Sequence, residues 1–131
     1  MPLPAGSGDK IYERIANEIF VPFIQSFKPE LILISAGFDA HWNDPITTLG
    51  LSSAGFYMLS KKLIDLADEH CGGKIVFVLE GGYNPSNLAN GSAAVFAALM
   101  NKDFVDPGDA SPRQETDASG MIEQVCKWNG F

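Results

Sequence analysis

The sequence predicts an α/β fold built on a parallel sheet flanked by helices. Two short, wholly apolar runs, Leu31-Ile32-Leu33-Ile34 and Ile75-Val76-Phe77-Val78, each lead straight into a glycine-bearing polar signature. The first is Ser35-Ala36-Gly37-Phe38-Asp39-Ala40-His41, and the second is Leu79-Glu80-Gly81-Gly82-Tyr83-Asn84. A helical pattern lies between them. Continuous β-branched runs bounded by glycine and joined through a helix read as parallel strands of a sheet covered on both faces. In such sheets the ligand crevice lies outside the carboxyl ends of the strands. Asp39 and Tyr83 therefore leave the sheet on its functional side, where a metal ligand and a phenolic hydrogen-bond donor would stand.

From Asp9 to Phe27 apolar residues recur at Ile11, Ile15, Ile19, Phe23 and Phe27, and Tyr12, Phe20 and Ile24 widen the stripe. This is one face of an amphipathic helix, with Asp9 as its N-cap. Pro22 removes a helical hydrogen bond and should kink or segment it; Pro29 ends it. A second helix spans about Ser53 to Glu69, burying Phe56, Leu59, Leu63, Leu66 and Ala67, and stops at Gly72-Gly73. A third runs from about Pro85 to Met100 with Asn84 at the N-cap and Pro85 at the first helical position. Residues 103–117 shift to Pro, Gly, Asp, Ser and Arg and read as a loop or linker. Within residues 118–131, Met121, Ile122, Val125 and Trp128 predict a terminal helix packing back on the body.

At 131 residues a single core is feasible, near the small end for a parallel α/β domain. The net charge of −7 argues against nucleic acid or an anionic membrane surface as partner and permits a cationic substrate. The two cysteines, Cys71 and Cys126, are no disulfide framework and fit a reducing compartment. No apolar run approaches membrane-spanning length, and Met1-Pro2-Leu3-Pro4 is not a signal peptide, so the expected location is cytoplasmic.

The motifs extend beyond the two strand ends. Pro2 to Asp9, Lys28-Pro29-Glu30 running through His41, Asp44-Pro45, Cys71-Gly72-Gly73-Lys74, and Glu80 to Asn84 follow one another in a set order. In that order and spacing, residues 2 to 100 resemble the C-terminal part of a class II-like histone deacetylase or acetylpolyamine amidohydrolase. The resemblance implies an arginase/deacetylase-type three-layer fold with its N-terminal half missing. Residues 1–102 would be the C-terminal portion of the deacetylase domain, 103–117 a connecting loop and 118–131 a helix packed on it. It also implies a zinc site with two further ligands in a D-x-H arrangement, and a pair of adjacent histidines as acid/base groups. The chain holds only His41 and His70, and no His-His pair. A Met placed directly before Pro-Leu-Pro reads as an artificial or internal start.

The resemblance makes Asp39 a zinc ligand of the complete enzyme, a role its carboxylate suits; the bland alternative is an aspartate capping a turn. It makes Tyr83 the donor to the oxyanion formed during amide hydrolysis, where a lone tyrosine more often keeps its ring in the core and its hydroxyl at the surface. Gly81 and Gly82 would leave room for the acyl group, and Pro45, with Asp44, would line the substrate entrance unless this is a solvated turn. Glu80 is expected to bond backbone amides, His41 to be an ordinary loop residue, and the Pro2–Asp9 loop to be poorly ordered beside a free terminus. Too few ligands remain to hold zinc on this chain alone.

The expected function is thus a segment of a zinc-dependent deacetylase acting on acetyl-lysine-like or acetylpolyamine amides, inactive in isolation. A non-catalytic oligomerising or interaction module on the same fold is the alternative, although Asp39 and Tyr83 are both retained. A flavodoxin-type ligand-binding domain would need a phosphate loop opening a helix, and neither strand end offers one. Cutting away neighbouring strands and helices would expose apolar surface, so self-association is expected as well.

Overall fold

A computed structural model describes residues 2–108 and 110–130. Two parallel strands, β1 (Ile32–Ala36) and β2 (Ile75–Leu79), pair in register from Ile32 with Ile75 to Ala36 with Leu79. The crossover between them is α3 (Ser53–Cys71), as a parallel connection requires. Helix α4 (Pro85–Leu99) follows β2 and packs chiefly on α3. At the chain ends lie α1 (Asp9–Ile15), α2 (Val21–Phe27) and α5 (Ser119–Asn129).

The first helical stretch is segmented. Between α1 and α2, residues Ala16–Phe20 widen into a π-helical turn immediately before Pro22. A proline inside a regular helix has no N–H to give and clashes with the carbonyl four residues back; the extra residue of a π turn absorbs both. Lys28 then takes the left-handed conformation (φ 53°) and closes α2 ahead of Pro29.

Asp9 is not the N-cap. Gly8 occupies that position and gives no side-chain cap. The Asp9 carboxylate instead reaches α3, accepting from Ser52 N–H at 2.8 Å and Ser52 Oγ–H at 2.6 Å. Ser52 Oγ in turn accepts from Gly55 N–H at 3.0 Å and caps α3. The free amides of α1 are met from far along the chain, where the Glu115 carboxylate accepts from Lys10 N–H and Ile11 N–H, both at 3.2 Å. Asp106 likewise accepts from Ala54 N–H at 2.9 Å in the first turn of α3. The described residues of 103–117 carry no regular element, but they pin two helix starts.

The same stretch and Thr48 tie down Ala5 and Gly6, contrary to the expectation of a poorly ordered Pro2–Asp9 loop. Ser7 is fully buried; Gly6 N–H donates to Thr48 C=O at 2.8 Å, and Thr116 Oγ1–H donates to Ala5 C=O at 2.6 Å. A terminus tied down at both backbone and side chain does not behave as a free end.

Three apolar clusters make the interior. Phe38, Leu51, Phe56, Ala94 and Val95 join α3 and α4 to the end of β1. Ile11, Ile15, Ala118 and Ile122 seat α5 on α1, and Ile32, Ala67 and Cys71 seat β1 on α3. Of the α5 residues expected to pack back, Ile122 is fully buried whereas Trp128 is 74% exposed. In an 11-residue helix touching the body on one narrow stripe, Trp128 lies beyond the contact. The strands are covered on one face only. Leu33, Val76 and Val78, which share the other face, are 65%, 46% and 51% exposed, so no described element covers it.

Because Asp9 ties α1 to the cap of α3 through two hydrogen bonds, Asp9→Ala should destabilise the chain by about 1–3 kcal/mol, the usual cost of leaving half-buried donors unmade. The exposed control Glu123→Ala should stay within about 0.5 kcal/mol. Urea unfolding followed by circular dichroism would measure both, and equal midpoints would contradict the role given to Asp9.

Candidate functional site

The ladder between the strands runs on past their ends. Glu80 N–H donates to Ala36 C=O at 3.1 Å, and Phe38 N–H donates to Gly81 C=O at 2.9 Å. This continuation lays residues 37–39 beside residues 80–82. The Asp39 carboxylate lies so close to Gly81 that a Cβ there would stand 2.5 Å from Oδ2, and a Cβ on Gly37 would stand 3.0 Å from Oδ1. Glycine at 81 is therefore a steric requirement of the Asp39 side chain. Gly82 needs its lack of a Cβ for two reasons: its φ is +131°, and a Cβ would press on Phe38 and Leu88 at 3.1 and 3.2 Å.

Tyr83 and Pro45 form the second group. With Trp42, Asn43, Asn84 and Arg113 they line an open groove of about 470 Å³ beside the strand ends. Tyr83 is 58% exposed, so little packing holds its ring. The two groups are joined through the backbone of residues 81–83 and through Asp44, which is buried under the groove. Asp44 Oδ2 accepts from Tyr83 N–H at 2.8 Å and Asn84 N–H at 3.2 Å, while Oδ1 accepts from Ile46 N–H at 3.2 Å. Asn84 caps α4, accepting from Ser86 N–H and Asn87 N–H at 3.0 and 3.4 Å, with Pro85 at the helix start.

Other residues stand differently from expectation. Glu80 does not bond loop amides through its side chain; its carboxylate accepts from Ser35 Oγ–H at 3.0 Å. His41 is buried, its ring between Trp42 and Phe56 with centroids 5.6 and 6.5 Å away. Its Nδ1 accepts from Asn43 N–H at 3.2 Å, which leaves the neutral ring's proton on Nε2, 3.4 Å from Ser53 Oγ. Tyr12, which no motif singled out, has its phenol pushed up from its ordinary value by burial first and by the nearby Asp39 charge second. Arg113 was legible only as part of a loop; its Nη1–H donates to Leu49 C=O at 2.7 Å and brings a cation to the groove's rim.

The resemblance implies zinc, and the donor chemistry of Asp39 fits it: a hard oxygen at a strand end, with glycine on both sides. Among the described residues, no group of three or more His, Cys, Asp or Glu comes together to hold a metal ion. Asp39 is the one leg of such a site that the resemblance implies for this chain.

Comparison with known proteins points one way. Residues 1–99 match the family model of the histone deacetylase domain. Histone deacetylase 14, chloroplastic, of Arabidopsis thaliana is 48% identical over 103 residues, covering 79% of this chain and 24% of that protein. A probable deacetylase of Archaeoglobus fulgidus is 45% identical over 105 residues, covering 79% of this chain and 29% of its own length. Among solved structures, the HDA15 HD domain superposes with a TM-score of 0.69 at 34% identity, over 79% of this chain and 28% of that one. The histone deacetylase Clr3 superposes with a TM-score of 0.77 at 28% identity, over 93% of this chain and 20% of that one. The chain therefore spans between a fifth and a third of the length of these relatives, and its architecture is that of the deacetylase fold.

Burial pushes the His41 imidazole below its ordinary value of 6.5, outweighing the upward pull of Asp106, Asp9 and Asp44. As pH falls through 6.5 the unfolded chain takes up this proton first, so the folded state loses stability from there down to the depressed native value. Urea midpoints measured from pH 7.5 to 5 should decline, and His41→Phe should flatten the slope even if it lowers every midpoint. An equal slope in the variant would move the effect elsewhere.

Proposed function

The chain belongs to the histone deacetylase family, and from that premise we propose that it is the C-terminal segment of a zinc-dependent hydrolase of acetyl-lysine-like or acetylpolyamine amides, inactive as this segment alone. The observation that carries the reading is the extended ladder that sets the Asp39 carboxylate against Gly81, two residues from Tyr83. Asp39 would hold the metal together with two ligands supplied from outside this chain. Bound zinc would polarise the amide carbonyl and make its water a better nucleophile.

This chain's own residues would do the rest of their share. The Tyr83 phenol donates to the oxyanion as the carbonyl becomes tetrahedral, a bond stronger in the transition state than in the ground state. Gly81 and Gly82 would leave room for the acyl group, while their own backbone packs so closely on Asp39, Phe38 and Leu88 that a Cβ would collide there. Pro45 and Arg113 flank the amine side of the groove. Proton transfer from water to the leaving amine needs a histidine outside this chain, because His41 is committed to Asn43 and Ser53. Cys71 and Cys126 are both unpaired, which supports a reducing compartment such as the cytoplasm.

In the complete domain, Tyr83→Phe should lower kcat by about 10²–10³-fold with KM nearly unchanged, the loss typical of one oxyanion donor. Asp39→Ala should lose zinc and activity together, read by elemental analysis beside a fluorogenic acetyl-lysine assay. Near-full turnover in the Phe variant would remove the oxyanion role. One zinc per chain bound to this segment alone would show that it does not need outside ligands.

A second reading, a non-catalytic module that assembles through its sheet, is favoured by the bare face of Leu33, Val76 and Val78. The same face supports self-association of this segment under either reading. Sedimentation equilibrium should therefore give a dimer or larger species, and Val76→Lys should shift it toward monomer. A stable wild-type monomer at high concentration would rule this out.

A further inference from the structure

We infer that Asp44 is a positioning residue whose carboxylate sets where Tyr83 stands. The inference rests on the proposed role of Tyr83. Asp44 is 5% exposed and lies on the loop after β1, whereas Tyr83 and Asn84 lie on the loop after β2, thirty-nine and forty residues later. Its two oxygens receive three backbone N–H groups: Tyr83 at 2.8 Å and Asn84 at 3.2 Å on Oδ2, and Ile46 at 3.2 Å on Oδ1. Its own N–H donates to His41 C=O at 2.9 Å, so the carboxylate is itself held from behind. Asn84 Nδ2–H donates to Asn43 C=O at 3.1 Å and closes the same junction from the other side.

Tyr83 has little else to fix it. Its side chain is more than half exposed and the preceding Gly82 has a backbone that turns easily, so the ring's location follows from where residue 83's backbone is anchored. An oxyanion donor acts only if it waits at the right distance, and a displacement of about 1 Å can cost about a hundredfold. The anchor also has to be a carboxylate. All three neighbours are donors, so an asparagine must turn its NH2 toward Ile46 or toward Tyr83 and Asn84, facing donor with donor. Asp44→Asn therefore changes the hydrogen bonding at constant shape.

The test uses the complete domain and a fluorogenic acetyl-lysine peptide, with Asp44→Asn, Asp44→Ser, Tyr83→Phe and the double variant Asp44→Asn/Tyr83→Phe. Asp44→Asn should lower kcat by about 10–100-fold with KM and zinc content little changed. The double variant should be no slower than Tyr83→Phe, because Asp44 acts through the hydroxyl that is already gone. A double variant slower than Tyr83→Phe by the full Asp44→Asn factor would overturn the inference, since Asp44 would then be acting independently of Tyr83. Amide hydrogen exchange at residues 83 and 84 separates this from failure of the Tyr83 role: faster exchange in Asp44→Asn and Asp44→Ser supports the anchor, and unchanged protection overturns it. If Tyr83→Phe retained full turnover, the oxyanion role would fall and the inference with it, whereas the exchange data would still report the anchor. Should Asp44→Asn not fold, Asp44→Ser carries the kinetic comparison, with its thermal melt as the check on folding.

Discussion

The register of two short strands decides nearly everything about the site. β1 and β2 pair from Ile32 with Ile75 to Ala36 with Leu79, and the next two hydrogen bonds, Glu80 to Ala36 and Phe38 to Gly81, carry that register into the loops. A slip of one residue would reverse which side chains face α3. It would also carry Gly81 away from Asp39, and any residue with a Cβ in its place would collide with the carboxylate. The register in turn is held by the inner face, where Ile32 packs on Ala67 and Cys71 of α3. Apolar packing between β1 and α3 thus fixes the placement of a carboxylate several residues downstream.

Carboxylates do much of the long-range joining. Asp9 reaches Ser52, Glu115 the start of α1, Asp106 the start of α3, and Asp44 the junction of residues 83 and 84. All four end on backbone N–H groups in or just before the first turn of a helix, where unpaired donors and the helix dipole both favour an anion. Part of the chain's net −7 is therefore structural, and the acidic balance says less about the charge of a substrate than composition alone suggested.

This division explains what was legible in the sequence. The strands were readable because Leu31–Ile34 and Ile75–Val78 are unbroken apolar runs next to glycine, and their bounds moved by only one or two residues. The start of α4 was readable because Asn84 and Pro85 encode a cap locally. Segmentation at Pro22 followed from its missing N–H, although the π turn that accommodates it did not. The partners of Asp9, Glu115 and Asp44 lie about forty to a hundred residues away. Nothing in the local pattern around an aspartate tells a helix cap from a bolt between loops, so Asp9 was misread as a cap and Asp44 was left between a rim and a solvated turn. Trp128 was misread for a related reason: periodicity marks a face, but the body against which it would pack ends before that residue.

The same sheet presents two opposite surfaces. At its carboxyl end several polar groups near the site are engaged by specific partners: Asp44 by three amides, Glu80 by Ser35, and His41 by Asn43 and Ser53. On its outer face Leu33, Val76 and Val78 meet no described element. Apolar surface attracts in proportion to area and selects no geometry, whereas hydrogen-bonded carboxylates select direction and distance. The site end can therefore keep the arrangement of Asp39, Gly81 and Tyr83 as long as the inner face remains packed. What covers the outer face governs association and solubility more than the placement of those three residues, because no hydrogen bond that defines their positions crosses to that side.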